Sequence, residues 1–183
     1  MNENFKFKLL TFIRYFGDAF FYPFFALYLK KTGLIEGEIG FILSITPIIS
    51  IIANPIYSYF CKSSIITKNV LKVITVLEAI VITIIGFSTN FYLVSILTVL
   101  LAISGSCHYG LMDSFTAVYA EESGVKYSTI RIFGSIAYII ATTLGGYIIE
   151  LIGYSYSFII SSVLFIWAFS LQTSITVSSL SQP

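Results

Sequence analysis

Charge is scarce in this 183-residue sequence: Asp, Glu, Lys and Arg together make up 10% of it, and the net charge is +1. Soluble domains carry about 25% charged residues, so an ordinary water-facing surface is excluded. Lys and Arg are scattered singly or in pairs, which excludes a basic face for nucleic acid. Cys61 and Cys107 are the only cysteines, too few for a disulfide framework. They are expected on a loop and on a membrane helix, where a bridge between them is not expected. His108 is the only histidine, and without a Cys/His cluster no metal site can be assembled and no cofactor is implied. Gly-x-Ser-x-Gly and His-Glu-x-x-His are both absent, so an intramembrane hydrolase lacks its nucleophile or metal motif. No small-residue cleavage site follows the first apolar run, which is therefore expected to remain as a span.

Hydrophobic residues make up 57% of the chain, and the mean hydropathy is +0.92. That much apolar surface must face lipid. Spanning a bilayer takes roughly 20 helical residues, and six stretches qualify: Leu9–Leu29, Ile39–Phe60, Val70–Phe87, Phe91–Ala120, Ile130–Ile149 and Tyr156–Ser174. They lack the two-residue alternation of barrel strands, so helices are expected. The links between them are too short to hold a soluble domain, which predicts a single membrane domain over residues 1–183. With the N-terminus inside, the cytoplasmic ends hold Lys6, Lys8, Lys62, Lys68, Lys72, Lys126 and Arg131, against Lys30 and Lys31 outside. This bias predicts a multi-pass protein of the cytoplasmic membrane with both termini cytoplasmic. The 30 Phe and Tyr residues and Trp167 read mainly as lipid-facing or interfacial. Gly134, Ala137, Ala141 and Gly145 form a small-residue stripe suited to close helix packing. Pro23, Pro47 and Pro55 are expected to bend their helices.

Three stretches carry a family resemblance. Tyr22 to Ile49 reads YPFFALYLKKTGLIEGEIGFILSITPII. Leu111-Met112-Asp113 is followed after a loop by RIFGSIAYII from Arg131. Gly145 to Phe158 reads GGYIIELIGYSYSF. Together they resemble the major facilitator superfamily, in particular its lactose-permease-like and phenylpropionate-permease-like branch. The resemblance implies an all-α, six-helix bundle of two inverted three-helix repeats, half of that fold. It implies secondary active transport of a small polar organic solute such as a sugar, coupled to protons, with a second six-helix half or a homodimer as partner. The alternative is a nonfunctional or accessory membrane fragment of a truncated permease. Three departures stand out. Tyr127-Ser128-Thr129-Ile130-Arg131 has Ser where the branch usually has Gly. Ser58, Lys62 and Ile65 occupy the positions where the superfamily's loop after helix two has Gly, Asp and Gly. The largest is length, since a full transporter of this type has twelve helices and six are expected here, followed by an uncharged tail from Gln172 to Pro183.

A charge at the bilayer centre costs about 2.5–3.5 kcal/mol, so each one calls for a reason. Asp113 and Arg131 match the branch's acid and arginine that bind sugar. They are the candidate substrate residues, with Arg131 offering a hydrogen-bond fork and Asp113 accepting from hydroxyls. The rival reading is a structural salt bridge near the cytoplasmic interface. Glu78 lies among Val, Leu and Ile with no charged residue nearby in sequence. It is a candidate proton carrier, or else a hydrogen-bond partner of a neighbouring helix. Arg14 and Asp18 share a helix face at a spacing of four and can neutralise each other, although Arg14 is also close enough to the helix end to snorkel. Asp18 is the second proton-coupling candidate. His108 is the third, against the plainer reading of a buried, hydrogen-bonded imidazole.

Overall fold

The computed structural model describes residues 2–176, and every regular element among them is helical. The helices are α1 (Glu3–Asp18), α2 (Phe25–Lys31), α3 (Glu36–Phe60), α4 (Ser64–Ile85), α5 (Phe91–Gly105), α6 (His108–Ser123), α7 (Tyr127–Ile152) and α8 (Tyr154–Ser174). They make six passes, because α1 continues into α2 and α5 into α6. The tail expected to be uncharged falls partly in α8, and residues 177–183 lie outside the described residues.

Sequence marks the helix starts. Asn90 accepts from the backbone N–H groups of Tyr92 and Leu93 at the head of α5, and Ser63 accepts from Ile66 at the head of α4. These side chains satisfy donors that a first turn leaves unpaired. Gly124, at φ 67°, ends α6 in the left-handed region that a side chain would resist.

The first and fourth apolar runs are not continuous helices. After Asp18 the chain tightens, with Phe20 and Phe21 donating to the carbonyls of Gly17 and Asp18 three residues back. A short 3-10 turn, Tyr22–Phe24, follows before α2 begins. Pro23 has no N–H to extend the ladder, so the expected bend becomes a break. The fourth run breaks between Gly105 and His108. A Cβ on Gly105 would stand 2.8 Å from Oε1 of Glu78 and 3.0 Å from the Tyr22 hydroxyl. The missing side chain there leaves room for a carboxylate.

Four passes are long and apolar enough to cross a membrane: Glu36–Phe60, Phe91–Ser123, Tyr127–Ile152 and Tyr154–Ser174. The remaining two carry the charge. α1 holds Glu3, Lys6, Lys8, Arg14 and Asp18, and α4 holds Lys68, Lys72 and Glu78. The bundle resolves this by enclosing the inner part of α1, where Leu10, Thr11, Arg14, Gly17 and Asp18 are all buried. α7 lies along α1 on its stripe of Gly134, Ala137, Ala141 and Gly145, all buried. A Cβ at Gly134 would stand 2.8 Å from the Tyr15 ring, and one at Gly145 2.8 Å from the Phe24 ring. The stripe therefore does bring two helices into close contact.

Two apolar layers make the core. One gathers Phe21, Phe25, Ile82, Ile85, Val94 and Phe158; the other gathers Phe7, Leu10, Ile74, Leu111, Phe115 and Ile130. Outside, α3 exposes Ile48, Ile51, Ile52 and Ile56, and α8 exposes Val163, Ile166 and Trp167. Such broad apolar faces suit hydrocarbon, and the protein is a multi-pass membrane protein. The starts of α1 and α4 meet the end of α8, where Lys6 donates to the Ser174 carbonyl and Lys68 to the Ile175 carbonyl.

Candidate functional site

Between the two apolar layers lies a polar one. Arg14 and Asp18 come from α1, Glu78 from α4 and His108 from the first turn of α6. All four are at most 1% exposed. Arg14 Nη1 donates to Glu78 Oε2 at 2.7 Å, and Nη2 stands 3.1 Å from Asp18 Oδ1, near but misaligned for a hydrogen bond. His108 Nδ1 lies 3.4 Å from the same Glu78 oxygen. The Arg14 guanidinium also stacks 3.8 Å above the Phe165 ring of α8. That ring comes so close to α1 that a Cβ on Gly17 would stand 2.7 Å from it. Tyr109 of α6 donates its hydroxyl to Asp18 Oδ2 at 2.8 Å.

One expected reading is met here and two change. Glu78, remote from charge in sequence, is the hydrogen-bond partner of a neighbouring helix, since the fold delivers Arg14 to it across 64 positions. Arg14 does not snorkel, because it is enclosed and holds two carboxylates rather than one. His108 is buried, yet neither ring nitrogen completes a hydrogen bond, and Asp18 Oδ1 and Glu78 Oε1 are likewise unpartnered. One guanidinium faces two carboxylates and one imidazole. The set is neutral only when it carries one further proton. Burying charge is tolerable when it is paired, and here one cation stands against two acids.

Asp113 and Arg131 form the second polar site, and it differs in exposure. Arg131 Nε lies 3.5 Å from Asp113 Oδ1, with the two side chains 34% and 40% exposed. Both members of the pair are half-buried, in contrast to the enclosed cluster. Arg131 reaches Asp113 through one nitrogen, so the ends of its guanidinium fork are not used by the acid. Its flat face lies 4.4 Å above the Tyr15 ring, and Tyr127 stands beside both members of the pair. On the outer face of α6 around it, Gly110, Ser114, Ala117 and Glu121 are exposed. A cavity of about 450 Å³ opens next to this face between α3 and α6, bordered by Asn54, Tyr57, Ser58, Ser106, Gly110 and Ser114. Cys61 and Cys107 also border it, and both are free thiols. Among the described residues no group of His, Cys, Asp and Glu could hold a metal ion.

Sequence reasoning missed Tyr109, Tyr22 and Phe165, which join the charges. Tyr109 had a signal, as the neighbour of the only histidine. The others meet the cluster solely through the fold.

Comparison with known proteins matches residues 5–182 to the family described as "MFS_1 like family". A maltose permease of Geobacillus stearothermophilus is 27% identical over 168 residues, covering 91% of this chain and 43% of that protein. The uncharacterized transporter YwbF of Bacillus subtilis (strain 168) is 28% identical over 128 residues, 69% of this chain and 32% of that one. The crystal structure of the nucleoside transporter NupG shares the fold with a TM-score of 0.84 at 16% identity, covering 98% of this chain and 45% of that chain. The chain thus spans less than half the length of each of these proteins.

Proposed function

The chain belongs to the MFS_1 like family, and from that premise we propose that its six passes form one half of a proton-coupled transporter for a small polar organic solute such as a sugar. The carrying observation is the Asp113–Arg131 pair, whose side chains are 40% and 34% exposed next to the α6 residues Gly110 and Ser114 that border a cavity. A guanidinium whose fork is not consumed by its partner can donate to solute hydroxyls, while the acid accepts from them. A single half leaves that face open, so a second six-pass half, or a second copy inserted the same way, completes the site.

The packing pattern supports two inverted repeats of three passes each. Exchanging the first pass with the fourth, the second with the fifth and the third with the sixth turns the α1–α7 contact into the α3–α5 contact. It leaves the α4–α8 contact unchanged, and all three are among the heaviest in the bundle. The broken first and fourth passes correspond under the same exchange. Lysine distribution supports both termini being cytoplasmic in the cell membrane. Asp18, Glu78 and His108 are the groups we assign to the coupling proton, because the cluster they form with Arg14 is one proton short of neutrality.

Maltose, named for the Geobacillus relative, is the probe of choice. The chain assembled with its second half or copy binds maltose, and Asp113→Asn or Arg131→Gln removes binding while the bundle stays folded. Undiminished maltose binding in both variants overturns the assignment. Solute-independent behaviour of every assembly would favour an accessory membrane role, the reading to which the departures at Ser58, Lys62 and Ile65 point.

A further inference from the structure

The buried cluster and the half-exposed pair are joined by an unbroken run of contacts. The Arg131 guanidinium lies on the Tyr15 ring at 4.4 Å. The Tyr15 ring is 5.2 Å from that of Tyr109, tilted by 44°. The Tyr109 hydroxyl donates to Asp18, which stands against Arg14, which in turn holds Glu78. There is little slack in this run. A Cβ on Gly134 would come 2.8 Å from the Tyr15 ring and 3.1 Å from Arg131 Nη1, so both side chains are pressed on the α7 backbone.

We propose that Tyr109 is a positioning residue that couples proton occupancy of the buried cluster to the geometry of the Asp113–Arg131 pair. The proposal rests on reading the cluster as the proton site and the pair as the solute site. The physical basis is the donor rule for carboxyl groups. An ionised Asp18 can only accept, so it holds the Tyr109 hydroxyl as a donor. Once the cluster takes up a proton from water, a carboxyl or imidazole gains a donor of its own, and the demand on that hydroxyl changes. The ring moves as a rigid plate against Tyr15, and Tyr15, pressed together with Arg131 on the α7 backbone at Gly134, shifts Arg131 with it. Conversely, an Arg131 drawn towards a solute loosens Tyr15 and alters the hydrogen bond to Asp18. Any coupling of binding free energies is reciprocal.

Other ionisable groups surround the cluster and take part in its balance. Tyr22 approaches from the 3-10 turn and Tyr138 from α7, while Tyr57 of α3 and Cys107 lie within electrostatic reach of Glu78. From α8 the contact is the Phe165 ring. None of them spans from the cluster to Arg131 as Tyr109 does through Tyr15.

The test needs no solute. With the full chain in lipid nanodiscs, infrared difference spectra over a pH series read the buried carboxyl band, assigned by its loss in Asp18→Asn and Glu78→Gln. Arg131→Gln displaces the midpoint of that titration. Tyr109→Phe, which keeps the ring, displaces it by about one pH unit, a tenfold change in proton affinity. In the Tyr109→Phe background Arg131→Gln adds no further displacement, and Tyr15→Leu abolishes the Arg131 effect in the same way. An equal Arg131 effect with and without the Tyr109 hydroxyl would mean plain through-space electrostatics and would overturn the proposal. So would a midpoint indifferent to Arg131, or a cluster that takes up no proton at any accessible pH. If Tyr109→Phe does not fold, the Tyr15→Leu arm decides alone. Because no solute is present, a failure here is distinct from a failure of maltose to bind.

Discussion

Arg14 and Arg131 are the only arginines in the sequence, and their immediate chemistry is alike: each lies over an aromatic ring and each faces an acid. Arg14 is 1% exposed, with carboxylates at 2.7 and 3.1 Å. Arg131 is 34% exposed, with one carboxylate at 3.5 Å. Water makes the difference. A buried ion pair holds its members because losing one leaves a charge that nothing can solvate. An exposed pair is worth about 0–1 kcal/mol, because solvent takes over when a partner leaves. The first arrangement fixes a bundle, and the second is free to exchange its partner for a ligand.

The largest effect should therefore come from Arg14→Gln. It leaves Asp18 and Glu78 facing each other without their shared cation, and should cost about 3–5 kcal/mol, measured as lost expression and a lower Tm in detergent. Adding Asp18→Asn and Glu78→Gln to Arg14→Gln should recover much of that stability, since no lone charge remains. A mild Arg14→Gln phenotype would mean that water reaches the cluster, and the contrast with Arg131 would collapse.

Gly105→Ala is expected to come next. Its methyl group would meet Glu78 Oε1 at 2.8 Å and the Tyr22 hydroxyl at 3.0 Å. Overpacking of this kind costs about 1–3 kcal/mol. Gly110→Ala is the control on the same pass, because nothing lies within 4 Å of a Cβ there. Equal Tm values for the two variants would show that Glu78 can swing away from the α5–α6 break, and that the cluster is looser than its distances suggest.

How much of this contrast could be read in the sequence depends on the separation of the residues. Arg14 and Asp18 were legible, because a spacing of four on a helix places them on one face. Asp113 and Arg131 were legible only through the family resemblance, since nothing local ties an acid on one helix to an arginine on the next. Glu78 was legible as a hydrogen-bond partner of a neighbouring helix, but which partner was not, for a physical reason: its cation lies 64 positions away, and helix packing rather than periodicity brings them together. The break at Pro23 had a signal in its missing N–H. The break after Gly105 had a weaker one, a glycine whose purpose is visible only once Glu78 is seen against it. The runs expected to span at α1 and α4 fall outside the four helices long and apolar enough to cross a membrane, and three of the charges they carry, Arg14, Asp18 and Glu78, are the ones the bundle encloses.

The smallest effect on stability is expected at the exposed pair, and it is the sharpest test of the comparison. Asp113→Asn and Arg131→Gln should each change stability by about 0–1 kcal/mol, because the surviving member is already a third or more exposed. The double variant should be no more stable than either single one, since no buried lone charge exists for it to relieve. Maltose binding by the assembled transporter should be lost in all three, with Tm nearly constant. A different outcome would reassign the pair. If the single variants melt early and the double variant recovers, then Asp113 and Arg131 act as a structural latch between α6 and α7 that the second half buries on assembly. The two arginines would then play the same role, one within the half and one between halves. Measuring Tm both for the isolated half and for the assembly separates these cases: a clamp gives the same small shift in both, whereas a latch shows its cost only when the face is covered.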